Sequence, residues 1–193
     1  MPVRKVEDEE LLERLLAVFR DHGFEGATLT RLREATGLEK ASLYHRFPEG
    51  KEEMALAVLD YVEQRFGKQV LHPLVSTAPI QKRVEESGKQ VEAFYDGGRH
   101  ACVLDSLSLA GSPPRLARRV QEIYTAWRNG YQAVAKEAGY PAAEAEQRAE
   151  NVIMRIHGAL VLARALGDRE PFRQAIQDIG PSLLKPLARK ATG

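Results

Sequence analysis

From Leu11 to Leu183 the apolar residues recur at steps of three and four, and no stretch shows the strict alternation of a half-buried strand. Leucine, alanine, glutamate and arginine fill these periodic segments, and all four are good helix formers. An all-α chain of about nine helices follows. The pattern places helices at 7–22, 29–35, 40–47, from 51 onward, 80–95, 99–109, 113–138 and 142–166. A ninth carries Phe172, Ile176, Ile179, Leu183 and Leu187, kinked or ended by Pro181 and Pro186. Gly23, Asp96-Gly97-Gly98, Gly139 and Gly167 punctuate the runs, and Ser112 before Pro113 is a helix start signal.

The formal net charge is only +1, so any case for a nucleic-acid partner must be local. A single cysteine, Cys102, excludes an intramolecular disulfide and fits a reducing, cytoplasmic setting, where it reads as a buried small hydrophobe. The N-terminus carries no apolar signal segment. The greasiest stretch, 152–166, is interrupted by Arg155, His157 and Arg164, so no membrane partner is expected.

The most informative segment is 23–54, GFEGATLTRLREATGLEKASLYHRFPEGKEEM. Thr28 can cap the first short helix, which turns Leu29, Leu32 and Ala35 inward. Thr36-Gly37-Leu38 is a tight connection of the helix-turn-helix kind. The second short helix buries Leu43 and Phe47. It leaves Lys40, Ala41, Ser42, Tyr44, His45 and, at the edge, Arg46 facing out. That set suits a major groove. Ala41 and Ser42 are small enough for close approach, Lys40 can reach guanine or phosphate, and Tyr44 and His45 can donate to phosphate oxygens. Arg31 adds charge on the preceding helix, and Lys51 opens the next, where the helix dipole also favours phosphate. An ordinary helical hairpin in a bundle gives no reason for this outward set. Residues 28–51 hold five basic against three acidic side chains, while residues 1–27 hold four against seven. One copy of so weakly basic a surface should bind DNA weakly, which points to two copies.

The run Ala35-x-Gly37-Leu38-x-x-x-Ser42-Leu43-Tyr44-His45-x-Phe47, followed by Lys51-Glu52-Glu53, resembles the tetracycline-repressor (TetR) family. The ending Phe47-Pro48-x-Gly50-Lys51 looks like a subgroup of drug- and flavonoid-responsive repressors. The Gly97-to-Leu109 stretch and the start Pro171-Phe172-Arg173 resemble it more weakly. The resemblance implies a homodimeric repressor whose C-terminal domain binds an inducer. Glu39 departs from it, standing where the family often has a serine or threonine cap. A carboxylate there suits a helix N-terminus but repels phosphates, so it either reads a cytosine amine or pairs with Lys40.

Domains are accordingly expected at 1–52 for DNA binding and 53–193 for dimerisation and ligand. The eighth helix is apolar nearly all round, so its second face should meet a partner copy. The residues assigned to that interface are Val152, Ile156, Ala159, Leu160, Ala163, Phe172 and Ile176. Phe94, Tyr124, Trp127 and Tyr131 are candidates to line an apolar inducer pocket, although core packing also explains the last three. His157 reads as a core histidine. The sequence has no phosphate-binding glycine loop, nucleophile elbow, HExxH or paired cysteines, so neither an enzyme nor a metal or other cofactor is expected. The alternative is a helical scaffold or small-molecule-binding protein that does not bind DNA.

Overall fold

The computed structural model describes residues 8–109 and 111–185. Among them all regular structure is helical: α1 (Asp8–Gly26), α2 (Leu29–Thr36), α3 (Lys40–Arg46), α4 (Lys51–Phe66), α5 (Ile80–Phe94), α6 (Val103–Leu107), α7 (Pro114–Glu137), α8 (Ala142–Leu166), α9 (Glu170–Gln177) and α10 (Ile179–Leu184). A π turn and a 3₁₀ turn join α4 to α5, and a second 3₁₀ turn follows α5. The chain forms two compact units, each built from two stretches: 1–66 with 100–124, and 67–99 with 125–193. The segment around α2 and α3 thus shares its unit with residues 100–124, which the expected boundary at 52/53 placed elsewhere.

In the first unit α1 is the central element. Asp8, Glu9 and Glu10 complement the dipole at its start, and Leu11, Leu15, Leu16 and Phe19 point inward with almost no exposure. The helix does not stop at residue 22 as expected. It bends at Gly23 and runs one further turn. Leu32 of α2, Leu43 of α3 and Met54 and Leu59 of α4 are equally buried. Full burial of such a side chain is worth about 1.5–3 kcal/mol, and helices as short as α2 and α3 depend on it because neither is stable alone. Tyr61 of α4 donates to Glu13 of α1 at 2.6 Å, and Arg65 joins the same carboxylate. The Ser106 hydroxyl of α6 donates to the Arg20 carbonyl at 2.8 Å. The first half of α7 buries Leu116, Val120 and Ile123, and its Arg119 pairs with Asp60 at 2.8 Å and with Glu63.

In the second unit α5 turns Val84, Ser87, Gly88 and Val91 inward, while Trp127, Tyr131 and Val134 of α7 fill the core. Arg148 of α8 is buried and fully engaged. It is held by Glu144, donates to the carbonyls of Ser182 at 2.7 Å and Lys185 at 2.9 Å, and lies 3.8 Å from the Tyr140 ring centroid. It thereby satisfies carbonyls at the end of α10, where a helix lacks internal donors. The expected ninth helix is two helices, broken at Asp178. The break agrees with the expected effect of Pro181, whose ring and missing N–H disrupt the turn that begins at Gln177. Within α10 it sits in the first turn, where a missing N–H costs nothing. Pro186 and Leu187 lie outside the described residues.

The expected dimer residues need correction. Val152, Ile156, Ala159, Leu160 and Ala163 are at most 7% exposed, and Phe172 is fully buried against Tyr95, with ring centroids 6.1 Å apart. They are the protomer's own core. Ile176 is half-buried and lines a groove against α5. The outward face of α8 carries other apolar side chains: Met154, Val161, Leu162 and Leu166 are 61, 52, 50 and 67% exposed. No helix among the described residues is long and apolar enough to cross a membrane.

Candidate nucleic-acid interface

The α2–α3 turn is fixed by backbone geometry and one hydroxyl. Gly37 takes φ 68°, ψ 15°, a left-handed conformation that costs an L side chain about 1–2 kcal/mol, and its N–H bonds the Arg33 carbonyl at 2.8 Å. Thr36 is buried. Its hydroxyl donates to the Leu32 carbonyl at 2.7 Å and accepts from the Leu38 N–H at 3.3 Å. Arg14 of α1 donates to the Thr36 carbonyl at 3.0 Å, tying the turn to the central helix. Thr28 is the N-cap of α2, accepting from the Arg31 N–H at 3.3 Å.

With Leu43 buried, α3 turns Lys40, Ala41, Tyr44 and His45 outward, and Ser42 is half-buried beside them. Tyr44 is 41% exposed, and its ring rests on Gly50, where an added Cβ would stand 3.4 Å from a ring carbon. Gly50 also takes φ 79° at the entry to α4, so the glycine both makes the turn and seats the tyrosine. The Lys40 ammonium lies 5.7 Å from the centroid of the same ring.

Several basic side chains are positioned by partners that the sequence did not reveal. Lys51 donates to the Phe24 carbonyl at 2.8 Å and lies 4.2 Å from that residue's ring centroid. An ammonium has three N–H donors, so this contact orients the charge and leaves it able to meet an anion. Arg31 donates to the Gly26 carbonyl at 3.0 Å, and Arg46 pairs with Asp8 at 2.7 Å. Glu39 is the N-cap of α3 but makes no capping bond. It pairs with Arg33 at 2.5 Å rather than with Lys40. Thr28, Tyr44 and Lys51 together line a depression of about 270 Å³ floored by Ala27, Leu32 and Met54, with Glu25 also on its wall. Two of the expected phosphate contacts, Tyr44 and Lys51, are therefore brought together beside the cap Thr28, with one carboxylate that the sequence reading overlooked.

The aromatic candidates divide differently. Tyr124 belongs to the first unit, where its hydroxyl donates to Asp105 at 2.5 Å. Burial, then the neighbouring Cys102 and Asp105, push its pKa up and keep it protonated. Trp127 and Tyr131 lie in the second unit, essentially unexposed, with centroids 6.2 Å apart, and His157 stands 5.3 Å from Trp127. Burial likewise raises the Tyr131 pKa. Phe94 is half-buried and packs edge-on to Tyr95 at 5.3 Å. Two grooves on the second unit use other residues. One of about 670 Å³ runs along α8 and α10 past Arg148 and Asp178, and one of about 620 Å³ runs along α5, α9 and α10 past Val84 and Ile179.

Comparison with known proteins agrees with this arrangement. Residues 11–58 match the family model "Bacterial regulatory proteins, tetR family", and residues 79–178, more than half of the chain, match "Transcriptional regulator LmrA/YxaF-like, C-terminal domain". The HTH-type transcriptional regulator LmrA of Bacillus subtilis (strain 168) is 25% identical over 183 residues, covering 92% of this chain and 96% of its own. YxaF of the same organism is 27% identical over 179 residues, covering 85% and 88%. The repressor AcnR of Corynebacterium efficiens is 44% identical over 50 residues, 26% of each chain. A TetR transcriptional regulator from Legionella pneumophila shares the fold with a TM-score of 0.79 at 18% identity, covering 94% of this chain and all of that one. The helix-turn-helix geometry and the match over both halves lead to one conclusion: the chain is a DNA-binding transcriptional regulator and belongs to the TetR family.

Proposed function

We propose that the protein is a homodimeric repressor that releases its operator when a small apolar molecule binds in the second unit. The observation that carries the dimer is the outward face of α8. Met154, Val161, Leu162 and Leu166 are each at least half exposed there, on one helix face with Gly158 between them. Such a stripe on a monomer marks an interface. Covering it with its own symmetry copy would set two α3 helices on a two-fold DNA site, with half-sites about 10 base pairs or a multiple apart. The weak local charge of residues 28–51 also favours two copies. The similar AcnR of Corynebacterium efficiens is a transcriptional repressor.

The ligand reading rests on the buried aromatic pair Trp127 and Tyr131 of the second unit, with Phe94, the last residue of α5, as a further candidate. Release requires that the molecule prefer a conformation with the two α3 helices wrongly spaced. Linkage then demands that operator DNA weaken ligand binding by the same factor that ligand weakens DNA binding. Trp127 is the sole tryptophan and is buried, so its fluorescence reports the interior directly. Titrating a candidate compound with and without operator tests the proposal. Weaker binding in the presence of operator supports it, and equal affinities refute that compound as an inducer.

A further inference from the structure

We infer that Glu39 is a specificity-determining residue that selects a cytosine in each operator half-site. The inference rests on the reading of α3 as the recognition helix, and it concerns what that helix reads.

Neither structural job open to a residue at this position requires the Glu39 carboxylate. Glu39 is the N-cap of α3, yet its side chain makes no capping bond. Its ion pair with Arg33 is only one of the groups that hold the α2–α3 turn. Thr36, the left-handed Gly37 and the Arg14 contact to the Thr36 carbonyl also do so. The carboxylate reaches Arg33 at 2.5 Å through Oε2, while 80% of the side chain stays exposed. The residues that open a recognition helix are the ones that meet base edges. Glu39 directly precedes Lys40 and Ala41, so it stands at that end.

A bare carboxylate at such a place would repel the phosphates. The Arg33 guanidinium, on the last turn of α2, neutralises it and fixes its direction. Because only Oε2 is engaged, Oε1 remains an acceptor with no donor function. In the major groove the base-edge donors are the amino groups of cytosine and adenine. Adenine carries its N7 acceptor next to the amine, and those lone pairs oppose a carboxylate. Cytosine carries a C–H there. The acceptor at Glu39 therefore favours cytosine. Lys40, the next residue, supplies donors of the kind the paired guanine accepts.

The test is selection of bound sequences from a random duplex pool by the full-length wild type, Glu39→Ala and Glu39→Gln. Wild type should enrich cytosine at one position of each half-site, by about fivefold or more over the other bases. Glu39→Ala should lose the preference at that position alone. Glu39→Gln should move it toward adenine, because a glutamine amide matches the adenine amine and N7 together. A motif that is identical in wild type and Glu39→Ala, with affinity raised evenly on all sequences, would overturn the inference and leave DNA binding by α3 intact. No enriched motif with wild type would overturn both.

Discussion

Leu162→Asp separates the dimer face of α8 from its core face. Leu162 is 50% exposed in the protomer, and Leu160, two residues earlier, is 1% exposed. Full burial of a leucine side chain contributes about 1.5–3 kcal/mol, so covering the exposed half of Leu162 is worth about 1 kcal/mol per copy, or about 2 kcal/mol for the two copies of a symmetric dimer. Aspartate removes that term and adds two carboxylates drawn out of water without partners, at several kcal/mol. A total of about 4 kcal/mol or more corresponds to a dissociation constant raised about a thousandfold. Sedimentation equilibrium over the micromolar range should show wild type as dimer and Leu162→Asp as monomer. Helical content and thermal stability should remain close to those of a wild-type protomer. Leu160→Ala makes the complementary control, since a core truncation costs about 2–5 kcal/mol of folding stability. A Leu162→Asp protein that stays dimeric would refute the assignment of this face.

Three further perturbations probe the first unit. Lys51→Ala should weaken operator binding, lower the salt slope by about one, and also cost about 1 kcal/mol of stability through the lost Phe24 carbonyl contact, read by denaturant titration and by binding at several salt concentrations. Gly37→Ala should cost about 1–2 kcal/mol, because the left-handed φ of 68° is unfavourable and its nearest atom beyond the backbone, an Arg14 nitrogen, stands 3.8 Å from an added Cβ. A Gly37→Ala midpoint equal to wild type would show that the turn tolerates a side chain. Burial, then the hydrogen bond to Glu13, raises the Tyr61 pKa from 10.0 to about 12. The folded state holds this proton more tightly than the unfolded chain, so the resulting stability is complete below pH 10 and is lost as pH rises toward 12. Tyr61→Phe should therefore lose less stability than wild type across that window in denaturant titrations, and parallel losses would contradict the assignment.

The helices were legible because the period of their apolar residues is a local property. The recognition segment was legible because Gly37, Leu43 and the outward Tyr44 lie within a few residues of one another. What the sequence concealed depends on distant partners. The bond from Ser106 to the Arg20 carbonyl spans 86 positions, and no local pattern announces that α6 shares a unit with α1. Lys51 looked like a bare surface cation because its partner is a backbone carbonyl, which leaves no trace in side-chain types. The eighth helix misled for another reason. Apolar on all sides, it gives no phase from hydrophobicity. Its polar residues did hold the phase: Asn151 and Arg155 step at helical spacing to Gly158 and Leu162, marking the outward face. Pro181 was legible as a kink or end of the ninth helix, and the helix does break one turn before it, at Asp178.

The central claim is that two copies of α3 read one DNA site. Hydroxyl-radical footprinting of wild type on its selected operator tests it most directly. The account predicts two protected segments related by two-fold symmetry, on one face of the duplex and about 10 base pairs or a multiple apart, both lost with Leu162→Asp at the same protein concentration. A single protected segment, or a paired footprint that Leu162→Asp leaves unchanged, would contradict it.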